Sequence, residues 1–169
     1  IINDDLSAFT RLPALFGKAA ADLESDTVWS IITGNMQMGD GVELFHTKHG
    51  NISATNGTIN IQTLGNARQA LRQQKSLNGR FINVSAKYLI VPSSLETVAQ
   101  QMMTSTNIVF TKSPDVNPFA GTLQIIAEPR LDAASQTAWY LAGDPSQIDT
   151  IEYAYLEGNE GVQLEHRIG

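Results

Sequence analysis

One segment constrains this chain more than any other. Between residues 4 and 33, Leu6, Phe9, Leu12, Phe16, Ala19 or Ala20, Leu23 and Ile31 or Ile32 recur every three or four positions, the spacing of an apolar helical stripe. Asn3, Asp4 and Asp5 stand ahead of it, offering N-cap oxygens and negative charge to the positive end of the helix dipole. Gly34 and Asn35 follow it and suit a C-terminal cap. At ~1.5 Å per residue the helix is about 45 Å long, longer than a usual globular helix, and it reads as a structural spine. Pro13 removes one backbone donor within it and is expected to kink the helix or divide it in two.

The rest of the chain reads as shorter pieces. Residues 35–62 are rich in Gly, Asn, Asp, Thr and Ser and predict a long loop region, with a tight turn at Asp40-Gly41 and a small hairpin at Asn56-Gly57. A second helix is expected at 63–76, capped by Thr63, with Leu64, Ala67 and Leu71 inward and Arg68, Arg72 and Lys75 on a basic outer face. A strand at 81–91 ends in Tyr88-Leu89-Ile90-Val91, a run expected to be buried on both faces. Pro92 stops it, and Ser93 with Glu96 predicts a capping box for a third helix with Leu95, Val98, Ala99 and Met102 inward. Residues 104–121, with Pro114 and Pro118, read as a loop. Strands are expected at 122–128 and 138–142, then a turn at Gly143-Asp144-Pro145. The alternation of Ile151, Tyr153 and Tyr155 and the segment 162–166 predict two more. The sum is an α+β or mixed α/β fold with one outsized helix.

Composition narrows the classes of function. With 42% hydrophobic and 17% charged residues in 169, the chain can bury a core and is not a disordered tail. The absence of cysteine excludes a disulfide scaffold, thiol catalysis and thiolate metal sites. No apolar run approaches a bilayer span and no signal-peptide pattern is present; Ile1 in place of Met predicts a piece of a longer protein. The net charge of −6 is unevenly spread. Between Glu43 and Glu96 there are bases (Lys48, Arg68, Arg72, Lys75, Arg80, Lys87) and no acid, and from Asp132 to Glu165 there are acids and no base. A basic stretch of this kind is a solvated face, a phosphate contact, or a surface that meets the acidic stretch of a neighbouring copy. No recognition-helix, zinc-finger or RNP-type pattern accompanies it.

The search for chemistry yields no site. His46 and His49 form a His-x-x-His pair that on a helix could hold a metal, but Gly50 and Asn51 predict a polar turn whose imidazoles bond backbone. The acid pairs Asp4-Asp5, Asp22 to Asp26 and Glu157 to Glu160 lie at helix starts or turns, where capping explains them. No nucleophile elbow, P-loop or dinucleotide fingerprint is present. Ser93-Ser94 resembles a nucleophile turn only superficially, with His166 as its sole distant support, and Trp139-Tyr140 reads as core. No catalytic, cofactor-binding or metal-binding residue is assigned and no cofactor is expected. Long loops beside a long spine point to assembly rather than turnover.

The ordered series is then informative: the helix Asp4 to Asn35; Asp40-Gly41 with Leu44-Phe45-His46 and His49-Gly50-Asn51; Leu64 to Gln74; Leu89-Ile90-Val91-Pro92 with Leu95-Glu96; Asn117-Pro118; Glu128-Pro129-Arg130-Leu131; Trp139-Tyr140-Leu141; Asp144-Pro145; and Tyr155-Leu156-Glu157-Gly158 to Gly161. It resembles, over essentially the whole chain, the major capsid proteins of tailed bacteriophages and prophages, in particular the Mu-like major head subunit. The resemblance implies the Hong Kong ninety-seven capsid fold, an α+β architecture. A peripheral domain of spine helix and strands would occupy 1–34 and 148–169, and a mixed α/β axial domain 35–147.

It also implies a C-terminal fragment lacking the N-terminal arm and extended loop. Its partners would be copies of itself in hexamers and pentamers, a prohead protease or scaffold and a portal. Non-specific DNA contact would occur inside the shell, and no membrane is involved. The location would be the virion, assembled in the host bacterial cytoplasm. The face Arg68, Arg72 and Lys75 is expected to meet an acidic patch of a neighbour. Rival readings are an encapsulin-like shell, a serine hydrolase fragment using Ser93 or Ser94 with His166, and a small α/β ligand-binding module.

Overall fold

The structure, a computed structural model, describes residues 6–53, 57–105, 107–108 and 115–158, with 6–10, 13, 107, 108 and 115 described by backbone alone. The elements are α1 (Leu6–Thr33), α2 (Ile61–Arg72), β1 (Ala86–Val91), α3 (Glu96–Thr104), β2 (Asn107–Ile108), β3 (Asp115–Val116), β4 (Gln124–Ala127), α4 (Pro129–Ala134) and β5 (Tyr140–Gly143), with short 3-10 turns at Thr47–His49 and Ser93–Leu95.

α1 runs undivided for 28 residues. Pro13 does not split it: one missing donor removes one rung, and the turns on either side keep theirs. The helix ends where expected. The Gly34 N–H donates to Ser30 O (2.8 Å), a Cβ at position 34 would lie 2.8 Å from that same oxygen, and Asn35 turns left-handed at φ 44°.

β1 is the centre of a three-stranded sheet in the order β4-β1-β5, parallel to β4 and antiparallel to β5. The register sets Leu89 beside Ile125 and Leu141, and Val91 beside Ala127. Alternation puts these side chains on one face, where they join Ile59 and Leu64 on the α2 side, Ala99, Met102 and Met103 of α3, and Phe119 in one buried cluster. The other face carries Tyr88, Ile90 and Tyr140, which are only half-buried, with the Phe45 ring 5.2 Å from that of Tyr140. The expectation that 88–91 is buried on both faces is thus corrected: the two-layer packing closes one face with helices and covers the other with a loop.

Other boundaries move for local reasons. α2 begins at Ile61 because Asn60, not Thr63, is the N-cap: its side chain accepts from Thr63 N (2.9 Å), and Thr63 Oγ1 accepts from Asn60 N (3.0 Å). The Ser93–Glu96 capping box does not form. Instead the Asp132 carboxylate of α4 accepts from Ser93 N (2.7 Å) and Ser94 N (3.1 Å), and Glu96 accepts from Gln100. Burial alone would raise the Asp132 pKa, but the Ser94 and Ser93 donors outweigh it and leave the carboxyl below its ordinary value. Val98 lies outward rather than inward. α4 was not expected, although Glu128-Pro129 carries its signal: Pro stands in the first turn, and the Glu128 side chain accepts from Arg130 N (3.0 Å). No strand is assigned at 151–155, where alternation predicted one. The expected hairpin at Asn56-Gly57 and the expected strand at 162–166 lie, wholly or at Asn56, outside the described residues.

Candidate assembly surface

Among the described side chains of α1, the longest element, none is fully buried. Leu12, Phe16 and Leu23 of the apolar stripe, and Leu15 beside it, are about half exposed or more. Periodicity reported an apolar face that requires cover, and among the described side chains the subunit covers it mainly toward the C-terminal end of α1, where Val28, Trp29, Ile31 and Ile32 are half-buried. The helix is moored by polar contacts. Arg130 of α4 pairs through Nε with Asp26 and through Nη1 with Glu128 (3.0 Å), and the Tyr155 hydroxyl donates to Glu24 Oε2 (2.9 Å).

The basic outer face of α2 is not one face. Arg68 turns onto the buried Phe119 ring, its guanidinium carbon 4.4 Å from the centroid; a flat, weakly hydrated cation sits well on an aromatic face. Arg72 donates to Asn83 Oδ1 (3.1 Å). Lys75 lies beyond the helix in a hairpin at residues 74–82, bridged to Phe81, with Nζ 5.1 Å from the ring centroid. Ile82 N to Gln74 O (2.9 Å), Ser76 N to Arg80 O (2.9 Å) and Gly79 N to Ser76 O (2.8 Å) close it, and Gly79 takes φ 78°. Asn78-Gly79 is its turn. The tip exposes Leu77 fully, together with Phe81 and Ile82.

Residues 35–51 are folded by their own amides. Asn35 donates to Phe45 O (3.2 Å) and accepts from Phe45 N (2.7 Å), and Asn51 does the same for Leu44 O (2.6 Å) and His46 N (3.0 Å). Asp40-Gly41 makes the expected turn, with Val42 N on Asp40 Oδ1 (3.1 Å) and Gly41 at φ 76°. Here the two histidines meet backbone. His46 Nδ1 accepts from Lys48 N (3.1 Å), and His49 Nδ1 is 3.1 Å from Leu44 O.

His49 Nε2 also lies 3.1 Å from Asp40 Oδ2, so both ring nitrogens face acceptors, which suits the imidazolium. The bond to Asp40 first, then the Leu44 carbonyl, raises the His49 pKa above its ordinary 6.5, and the same His49 bond lowers Asp40 below 3.8. The stabilisation from charged His49 is therefore complete below the unfolded pKa and lost as pH rises through the higher folded value. That from Asp40 is complete above its unfolded pKa and lost as pH falls through the lower folded value. An NMR titration is expected to place His49 above 6.5, and Asp40→Asn to bring it back toward that value. A wild-type value at or below 6.5 would contradict the pairing.

Ser93 and Ser94 are occupied as backbone donors to Asp132, and Ser94 Oγ donates to Gln136 O (2.8 Å); His166 is outside the described residues, as are Asp4, Asp5 and Glu160. Trp139 packs against the core, with Nε1 donating to Gly57 O (3.0 Å). Among the described residues no three His, Cys, Asp or Glu gather where a metal could bind, and no helix is long and apolar enough to cross a membrane.

A bare apolar ridge on the longest helix, a projecting hairpin with an apolar tip and segregated charge are features of a structural subunit that works through its exterior. A family model described as phage capsid protein matches residues 1–168. The chain belongs to that family, and so to the structural proteins of the bacteriophage virion. No curated protein and no solved structure matches it significantly.

Proposed function

We propose that this chain is a major head subunit of a tailed phage or prophage, of the Mu-like kind with the Hong Kong ninety-seven fold. Its copies close as hexamers and pentamers into an icosahedral shell around DNA, assembled in the host cytoplasm with a head protease or scaffold and a portal. The observation that carries this beyond family membership is the exposed row Leu12, Leu15, Phe16 and Leu23 on α1. An apolar ridge of that length is expensive to leave in water and marks a contact surface. Head-to-tail contacts that close into rings are the interface type such a shell uses.

The two-domain division, 1–34 with 148–169 and 35–147, belongs to the same proposal. It is supported by the Tyr155–Glu24 bond, which ties the C-terminal stretch to α1, and by the buried cluster, whose members all fall between Ile59 and Phe119. DNA contact is proposed as weak and non-specific, lost steeply as salt rises.

Electron microscopy of the full-length protein, expressed alone and with its protease, tests the reading. Closed shells of uniform size are expected. Subunits that stay monomeric or only aggregate under both conditions would overturn it.

A further inference from the structure

We propose that the hairpin at residues 74–82 of one subunit docks on the segment at residues 149–157 of a neighbouring copy; this rests on the shell-subunit reading above. The hairpin is preorganised. Its backbone bonds are closed, the Ser76 hydroxyl bonds Asn78 and Arg80 O (3.2 Å), and Lys75 lies along the Phe81 ring. It presents Leu77, Phe81 and Ile82 to solvent, flanked by the exposed cations Lys75 and Arg80, which make no ion pair among the described residues.

The segment at 149–157 is its complement. Asp149, Glu152 and Glu157 are exposed and likewise unpaired among the described residues. They are interleaved with the exposed Tyr153, Tyr155 and Leu156, whose two aromatic rings stand edge to face at 5.8 Å. Ile151, Glu152, Tyr153 and Ala154 line an open groove. Aromatic and aliphatic anchors bordered by charge are the composition of a protein interface.

The charge pattern selects the pairing. Hairpin against hairpin would bring cations together, and segment against segment anions, and like-charge repulsion disfavours both. Of these three pairings, hairpin to segment alone matches sign as well as apolar surface, and within a subunit no described hydrogen bond or ion pair joins the two. Because two different patches meet, the contact is head-to-tail, the kind that generates rings.

The test uses the full-length protein, with assembly followed by sedimentation and electron microscopy and folding by circular dichroism. Lys75→Glu with Arg80→Glu, and separately Glu152→Lys with Glu157→Lys, is expected to raise the concentration needed for shell formation about tenfold or more. Combining all four is expected to restore it. Leu77→Asp is expected to abolish shells with an unchanged subunit melting temperature, since the side chain makes no core contact. Wild-type-like assembly of both reversed pairs, or failure of the fourfold variant to recover while still folded, would overturn the interface and leave the shell reading standing. A hairpin that serves DNA instead would assemble normally in the Lys75→Glu, Arg80→Glu form and lose only DNA retention, which also overturns the proposal. If the wild-type protein forms no shells, the shell reading itself falls, and this one with it.

Discussion

Truncating Phe119 to Ala lowers the unfolding free energy of the unassembled subunit by about 3–5 kcal/mol. Phe119 is 2% exposed and is the largest fully buried side chain among the described residues. It fills the space between α2, α3 and the sheet, so its removal leaves a cavity lined by rigid elements that cannot collapse into it. The Arg68 guanidinium 4.4 Å above the ring would lose its platform as well, adding roughly 0.5–1 kcal/mol. Phe119→Leu, which keeps most of the volume but not the π face, is expected to cost less than half as much. Urea unfolding at concentrations below assembly measures both, because assembly would add a concentration-dependent term of its own. A loss under about 1 kcal/mol for Phe119→Ala would mean that the packing around the ring is wrong.

Replacing Asn117 by Ala removes about 3 kcal/mol, nearly as much, for a different reason. Asn117 is 4% exposed, and its amide donates to Met102 O (2.5 Å) and Ser105 O (2.9 Å) and accepts from Phe119 N (2.9 Å). Two of these partners are carbonyls at the C-terminal end of α3, which has no further helical turn to satisfy them. The third fixes the backbone that aims Phe119 inward. Asn117→Asp separates hydrogen bonding from volume. It is nearly isosteric, but its carboxylate can only accept and would face two carbonyl oxygens. It is therefore expected to destabilise at least as much as Ala at neutral pH. Full stability of the Asp variant in the same unfolding experiment would rule out this role.

Both residues sit in the stretch that reads as a loop from the sequence, and that shows where local reasoning stops. Asn117-Pro118-Phe119 has no periodicity, because a single aromatic anchor and a single buried amide do not repeat. Its importance comes from where β2, β3 and the chain into β4 carry it. Arg68 failed in the same way. Its position four before Arg72 on α2 suggests a shared face of charge, yet a neighbour distant in sequence, Phe119, draws it inward. Asp132, from α4, took the role assigned to Glu96 because it reaches the same backbone donors from outside the helix.

The elements with strong local signals were legible: α1 to its cap at Gly34 and Asn35, the Asp40-Gly41 turn, the parallel strand after α3, and the core residues Leu64, Leu89, Ala99 and Met102. The motif series also pointed to the capsid family that the family model identifies.

What the sequence determined by itself is that the chain must contain a long helix with an apolar stripe, and that its charge is divided between a basic middle and an acidic end. These are properties of residue type and spacing, complete without any knowledge of neighbours. Only the tertiary structure decided that the stripe stays bare at Leu12, Phe16 and Leu23, that the basic residues are split between a buried ring and a projecting hairpin, and that the largest core side chain comes from an apparent loop. Burial is a property of what else is present in space: α1 meets its own subunit chiefly at α4 and Tyr155, so the apolar side chains from Leu12 to Leu23 that folding leaves exposed remain available for contact with other chains.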